Sequence, residues 1–200
     1  MCIRDSAGLR ADVFTYDVNS SIAVNSDDGS DTIVTPTASL AWNISDELEL
    51  YANYGQGFHS NDVRGAAISV DPVSFDPVDQ VDVLVRAEGA ELGLRYEHGS
   101  FNATLVGFWL ELDSELVFVG DAGTTEPNNG SERFGVEVNA YWHPTEWLEF
   151  DASAGYTDAR FLDTAVGEDR IPQAVESVLT AGVTVGPIKG FTSSSVSYTH

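Results

Sequence analysis

Cysteine and positive charge are both scarce in this sequence of 200 residues. Cys2 is its one cysteine, so the chain contains no internal disulfide. Lysine and arginine number 9 against 32 aspartate and glutamate residues, a formal net charge of −23 at pH 7. A field of that sign repels nucleic acid and anionic lipid headgroups, which argues against polyanionic partners. The acidity fits an attraction for cationic ligands or, as we favour, solubility in a salty habitat.

Long apolar runs are missing as well. One of the longest, residues 105–110, is far shorter than the ~20 residues of a membrane helix. The start of the chain also lacks the apolar core of a signal peptide. The opening MCIRDS and the closing residues resemble translated sequencing adaptor. We therefore expect residues 1–6 and 193–200 to be foreign, residues 7–192 to be natural, and an exported protein to begin upstream of this sequence.

Apolar and polar residues alternate with a period of two through much of the chain. In residues 37–43, Ala38, Leu40 and Trp42 alternate with polar side chains, which predicts a two-faced strand. The same alternation returns in residues 48–54, 91–96, 134–142 and 148–156. Each run approaches the ~9–11 residues with which a tilted strand crosses a bilayer. The pattern predicts an all-β fold.

Short and long connections alternate between these runs. Tight turns are predicted at residues 43–46, 97–100 and 143–146, and long loops rich in Gly, Asp, Asn and Pro at residues 19–31, 57–87, 114–131 and 160–172. This order predicts an antiparallel up-and-down meander of about eight strands, with its short turns at one end and its long loops at the other.

Two stretches depart from this scheme. Residues 105–112 are apolar on both faces, and the apolar parity slips at Val13 and Phe14. A β-bulge or cover by a neighbouring loop explains either departure. The strand register of residues 9–18 and 101–113 therefore stays open.

The alternation fits a membrane barrel or a soluble β-sandwich, and aromatic placement favours the barrel. Aromatic residues lie near the predicted strand ends, where membrane barrels carry aromatic girdles. They are Tyr54, Tyr96, Trp142, Trp147 and Tyr156. The polar face, with Glu49, Glu137, Glu149 and Asp151, would then line the lumen.

Residues 51–65, YANYGQGFHSNDVRG, resemble the passage from a tyrosine-rich strand into a loop in TonB-dependent outer-membrane receptors. Residues 112–118 and 128–137 resemble a pair of strands that flank a loop in the same family, and the resemblance extends from Gly8 to about Phe191. It implies a 22-stranded barrel in outer-membrane lipid, closed around a plug domain. The whole receptor would import a siderophore, cobalamin, metal or saccharide with energy from the TonB complex.

The sequence contains neither the plug domain nor the TonB box of that family, and it lacks the terminal aromatic residue that ends outer-membrane barrels. We therefore expect a fragment of the barrel. A slice of a larger barrel exposes two hydrogen-bonding edges, so the isolated chain should fold poorly. A small complete barrel with a structural or adhesive role, and a soluble sandwich that binds a ligand, remain alternatives.

Residues suited to catalysis or metal binding do not cluster in the sequence. The histidines at positions 59, 98, 143 and 200 lack ligand spacing, and no nucleophile elbow, Walker loop or zinc signature is present. We expect no enzyme, no metal site and no cofactor, and we favour a structural role at the barrel rim for His59. If any residues contact a ligand, we expect them in the loop-side motif Phe58, His59, Ser60, Asn61, Asp62 and Arg64.

Overall fold

The computed structural model describes residues 2–119, 124–128, 130–165, 167–188 and 191–199, and strands dominate it. Strands β1 to β11 span Cys2–Val18, Asp27–Asn43, Leu48–Ser60, Leu84–His98, Phe101–Leu112, Glu115–Val119, Thr124–Asn128, Ser131–Thr145, Leu148–Phe161, Ser177–Ile188 and Phe191–Thr199. A 3₁₀ turn at Ala23–Asn25 and helix α1 at Val63–Ala67 complete the elements. Neither these helices nor any other described segment has the length and hydropathy of a membrane-spanning helix.

Nine strands form one antiparallel sheet in the order β1-β2-β3-β4-β5-β8-β9-β10-β11, and β6 pairs with β7 in a separate hairpin. The predicted meander is therefore confirmed, with nine strands in the sheet where about eight were expected. Residues 44–47, 99–100 and 146–147 connect strands at one end, the turn end. The long connections at residues 19–26 and 61–83 leave the sheet at the other end, the loop end, as do the connections between β5 and β8 and between β9 and β10.

Strands β1 and β5 pair with their neighbours in unbroken register. The β1–β2 ladder runs from Cys2 opposite Asn43 to Val18 opposite Asp27, and β5 pairs without interruption on both sides. The prediction of a β-bulge at Val13 or within residues 105–112, one of the two explanations offered for these stretches, is therefore wrong. The predicted loops were also too long, because β2 begins at Asp27 and β3 ends at Ser60. Backbone pairing continues beyond the alternating side chains, since ladder hydrogen bonds do not depend on apolar residues.

The pairing register gathers the apolar residues of successive strands on one face of the sheet. Leu50, Leu94, Leu105 and Val138 lie directly opposite one another in neighbouring strands. Leu105 is 49% exposed and Val138 41% exposed, so this face is not covered by the described part of the chain. We call it the outer face and the polar face the inner face. A broad exposed apolar sheet face is typical of the lipid-facing side of a membrane barrel.

Burial is concentrated at the loop end. The core cluster consists of Ile33, Ala66, Val83 and Leu84, with Phe58 and Val63 packed against it. Helix α1 contributes Ala66, so the loop at residues 61–83 folds back against the strand ends. This small core supports the motif at residues 58–64.

The terminal residues are part of the sheet. Residues 2–6 lie in β1 and residues 193–199 lie in β11. The expectation that residues 1–6 and 193–200 are foreign stays a prediction.

Candidate functional site

The motif at residues 58–64 lies where β3 enters the loop. His59 and Ser60 are the last residues of β3, opposite Val85 and Leu84 of β4. Phe58 packs against the core cluster, and its ring centroid lies 5.9 Å from the guanidinium carbon of Arg10. Phe58 therefore stabilises the base of the loop, and His59 belongs to the strand end.

Asn61 closes the base of this loop. Its backbone N–H donates to the carbonyl of Val83 at 2.9 Å, and its side-chain amide donates to the carbonyl of Asp82 at 2.8 Å. Asn61 is 5% exposed, and its side-chain oxygen accepts no hydrogen bond from the described residues. The position of Asn61 fixes both ends of the loop together.

Asp62 begins helix α1 as its N-cap. Its carboxylate accepts the backbone N–H of Arg64 at 2.9 Å and also pairs with the exposed guanidinium of Arg64. Hydrogen bonds from the side chain and then the backbone of Arg64 lower the pKa of the Asp62 carboxyl. N-cap carboxylates stabilise helix starts in this way. Contact of the six motif residues with a ligand stays a prediction.

Asn25 clamps the first loop, residues 19–26, to the second loop, residues 61–83. The sequence did not predict this contact. Its side-chain oxygen accepts the backbone N–H groups of Ser69 at 2.9 Å and Val70 at 3.0 Å. Its amide donates to the carbonyl of Val70 at 2.8 Å. Asn25 is 6% exposed, so these bonds are shielded from water. The first two loops therefore form one connected unit.

Asp169 organises the loop at residues 162–176. Its carboxylate accepts the backbone N–H of Gly167 at 3.0 Å and a guanidinium N–H of Arg160 at 3.2 Å. These bonds, that from Gly167 first, lower the pKa of the Asp169 carboxyl. Asp169 joins this loop to the end of β9.

The inner face carries paired polar groups at the turn-end half of the sheet. Glu49 accepts hydrogen bonds from Arg4 at 2.9 Å and Arg95 at 2.7 Å. Asn53 donates to Glu91 on the next strand. Glu49 thus lies on the polar face as the alternation predicted, and the register places Glu137, Glu149 and Asp151 on that face too.

Clusters that could bind a metal ion are not found among the residues that the structure describes. No group of three or more His, Cys, Asp or Glu side chains there is arranged to hold a metal ion. The site is best described as a loop-end mouth above a polar inner wall.

An antiparallel meander with an exposed apolar face and a polar inner face is typical of a segment of membrane barrel wall. Residues 6–200 match the family model described as "TonB dependent receptor-like, beta-barrel". The chain therefore belongs to the TonB-dependent receptor β-barrel family. Members of this family are outer-membrane transporters and not enzymes.

Solved receptors share the fold at low sequence identity. The copper transporter OprC superposes with a TM-score of 0.74 at 17% identity, covering 97% of this chain and 32% of OprC. BauA, the ferric preacinetobactin receptor of Acinetobacter baumannii, gives 0.68 at 20% identity, covering 92% and 27%. The FrpB iron transporter of Neisseria meningitidis (F3-3 variant) gives 0.66 at 19% identity, covering 92% and 27%. The chain thus spans about a third or less of these receptors. No curated protein matches it.

Proposed function

We propose that this chain forms part of the barrel wall of an outer-membrane receptor that imports a scarce ligand. The ligand is a siderophore, cobalamin, metal or saccharide, and the import is driven through TonB. The barrel wall surrounds a plug domain supplied by another part of the receptor, and outer-membrane lipid covers the outer face.

The continuous apolar band of the outer face carries this proposal. On β5 the band runs from Phe101 to Trp109, eight residue steps, or ~27 Å along a strand at ~3.4 Å per residue. At a tilt of ~40° its height is ~21 Å, comparable with the ~25 Å band of outer-membrane barrels. A strand in a water-soluble sheet has no reason to expose so long an apolar face.

Aromatic side chains border the band at both ends. At the loop end, Trp109 lies opposite Phe134, and its indole N–H donates to Glu132 at 3.1 Å. At the turn end, Trp142 lies opposite Phe150, with stacked rings 5.6 Å apart. Such amphipathic rings favour the boundary between hydrocarbon and headgroups.

A polar row lies immediately above the loop-end aromatics. It runs across five adjacent strands on the outer face, and each member lies directly opposite the next. The row comprises Gln56, Glu88, Glu111, Glu132 and Arg160. Carboxylates and guanidinium groups are costly in hydrocarbon, so the row supports a membrane boundary at this height.

The two alternative functions fit the structure less well. A soluble β-sandwich buries its apolar face against a second sheet, whereas residues such as Leu92 are 58% exposed here. A small closed barrel requires its first and last strands to pair. In the described part of the chain β1 and β11 each pair with one neighbour, and the sheet stays open. Both observations support a segment of a larger barrel.

Ligand capture is proposed at the loop end. The clamp by Asn25 and the closure by Asn61 hold the first two loops in a fixed arrangement beside the motif. Pre-organised loops lose less entropy when they bind a ligand. We therefore propose that the motif residues Phe58, His59, Ser60, Asn61, Asp62 and Arg64 form part of the rim that a ligand passes.

The experiment is an uptake assay on the full-length receptor that contains this segment, expressed in a host that lacks its own receptors of this family. Radiolabelled ferric siderophores, cobalamin, copper and oligosaccharides are supplied one at a time. Uptake of one class that requires both the receptor and an intact TonB complex supports the proposal. Uptake that persists without TonB, or uptake of none above the empty-vector level, overturns it.

A further inference from the structure

A groove of about 530 Å³ lies on the inner face between β3, β4 and β5. One side of the groove is formed by Val106, Phe108 and Leu110, the inward residues that make β5 apolar on both faces. Inner walls of outer-membrane barrels are ordinarily polar. An apolar groove here is therefore an exception to the pattern of the sheet.

Glycine and alanine residues, which have little or no side chain, form the floor of this groove. Gly55 lies opposite Gly89, and Gly57 lies opposite Ala87. A Cβ added at Gly57 would meet nothing within 4 Å, so the space beside it is open. Gly93, by contrast, lies under the ring of Tyr51. The floor at Gly57 is bare while another inward glycine of the same wall is covered.

The rim of the groove is negatively charged. Glu91 and Glu137 line it, and its lining includes no lysine or arginine. Glu91 accepts a hydrogen bond from Asn53, which is neutral, so this contact leaves the carboxylate charge uncompensated. Glu137 forms no ion pair with the described residues that carry positive charge. Apolar walls beside carboxylates favour a cation that also has an apolar surface.

We propose that this groove binds a small organic cation with an apolar face, inside the lumen and below the loop mouth. The proposal rests on the proposed function, because the cation reaches the groove only through the lumen of a receptor. The groove has the volume and the composition of small-molecule sites, which are ~300–1,000 Å³, mostly apolar and supplied with a few polar groups. The carboxylates select against an anion of the same shape.

The test measures binding to the purified full-length receptor in nonionic detergent, without any energy source. Rhodamine 6G is the cationic probe and fluorescein the anionic one, since both carry a flat xanthene ring. Equilibrium dialysis against matched empty micelles corrects for detergent partition. We expect saturable binding of rhodamine 6G that is at least about tenfold tighter than that of fluorescein.

Two variants locate the bound probe. Gly57→Val places a side chain in the groove at a position where an added Cβ meets nothing within 4 Å, and we expect it to weaken rhodamine 6G binding by about tenfold. Glu91→Gln removes one rim charge and should weaken binding by about three- to fivefold, with a smaller salt dependence. Ser153→Val, on the inner face but outside the groove, should leave binding unchanged. A difference in gel migration between unheated and heated samples, the same as that of the wild type, verifies that each variant has folded.

Unchanged binding in both groove variants, or equal binding of the two probes, would overturn the proposal. Binding that appears only after the plug domain is deleted would also overturn it, because the plug would then be the occupant of the groove. The binding measurement does not require TonB, so a failure of energy-coupled uptake would not change the binding result. Cation binding without uptake would contradict the proposed function alone.

Discussion

The ring of Tyr51 covers Gly93, the residue directly opposite it in the β3–β4 ladder. The ring atoms occupy the space that a Cβ at position 93 would need. The guanidinium carbon of Arg95 lies 5.5 Å from the centroid of the same ring. An aromatic residue that covers a cross-strand glycine restores the packing that the glycine lacks. Phe108 and Gly135 repeat this arrangement between β5 and β8.

Gly93→Ala should displace Tyr51 and lower the stability of the barrel. Overpacking of this kind typically costs about 1–3 kcal/mol. The measurement is the urea midpoint of the full-length receptor, followed by tryptophan fluorescence. Gly57→Ala is the matched control, because its Cβ enters open space. Equal midpoints for the two variants would show that the Tyr51 contact contributes nothing.

Asn25→Ala should release the first loop from the second. The substitution leaves two N–H groups and one carbonyl of residues 69–70 without their partner, a local cost of about 1–3 kcal/mol. Hydrogen exchange at Ser69 and Val70 should accelerate by about tenfold or more. Asn19→Ala, which removes an exposed hydrogen bond to Asp17, should leave that exchange unchanged. Slow exchange in Asn25→Ala would disprove the clamp.

Leu105→Arg should prevent correct insertion of the barrel. Leu105 lies on the outer face in the middle of the apolar band, where an arginine costs about 2–4 kcal/mol. Thr104→Arg changes the neighbouring residue on the inner face, so the same charge should be tolerated there. The amount of heat-modifiable receptor in outer-membrane fractions measures the difference. If both variants insert equally, the assignment of the two faces is wrong.

The Asp169 carboxyl should titrate below its ordinary pKa of 3.8, because Gly167 and Arg160 bind its ionised form. A lowered pKa in the folded state means that the ionised carboxylate stabilises the loop above about pH 3.8. This stabilisation is lost as pH falls through the lowered pKa. The carboxyl ¹³C shift of Asp169, followed from pH 6 to pH 2, measures the midpoint.

Arg160→Gln removes one of the two partners, so the midpoint should move toward 3.8 while remaining below it. A wild-type midpoint at or above 3.8 would contradict the hydrogen bonding at Asp169. Substitution of Arg64, which pairs with Asp62 in another loop, should leave the midpoint unchanged.

Strand β11 reverses the polarity of the wall. Its outward residues Ser193, Ser195 and Ser197 lie opposite Val185, Val183 and Ala181 of β10, while Val196 and Tyr198 face inward. Asp5 is likewise outward, opposite Leu40. We propose on this ground that residues 1–6 and 193–200 are foreign to the natural protein.

A single long read of the source DNA tests this proposal. We expect the natural sequence to diverge from this one at both ends and to encode apolar residues at the outward positions of these strands. The interior, residues 7–192, should be identical. A read that encodes the same terminal residues would disprove it and make the polar outer face of β11 a real feature of the receptor.

Alternation and turn residues predicted the strands and their direction because both depend on neighbours in sequence. The turn at residues 44–47 and the two-faced strand Leu48–Ser60 illustrate this. Boundaries beyond the apolar band were less predictable. Residues 27–31 read as an acidic loop but pair with β1, since backbone hydrogen bonds form there whatever the side chains are.

The site was predicted in part. The motif at residues 58–64 does lie at the loop end, but the structural roles of Phe58 and Asn61 became visible only with their partners in place. No pattern in the sequence indicated the structural role of Asn25. A buried asparagine that binds a backbone segment about 45 residues away leaves no periodic pattern to read.

The sequence by itself determined which residues of each alternating strand share a face, because a strand places alternate side chains on opposite faces. It also determined the order of turns and loops. Tertiary structure alone decided the register of β1 and β5, the clamp between the first two loops and the groove above Gly57. Each of these depends on which residues of distant segments lie next to one another in space. That is decided by how the strands pair, and it cannot be derived from the neighbours of a residue in the sequence.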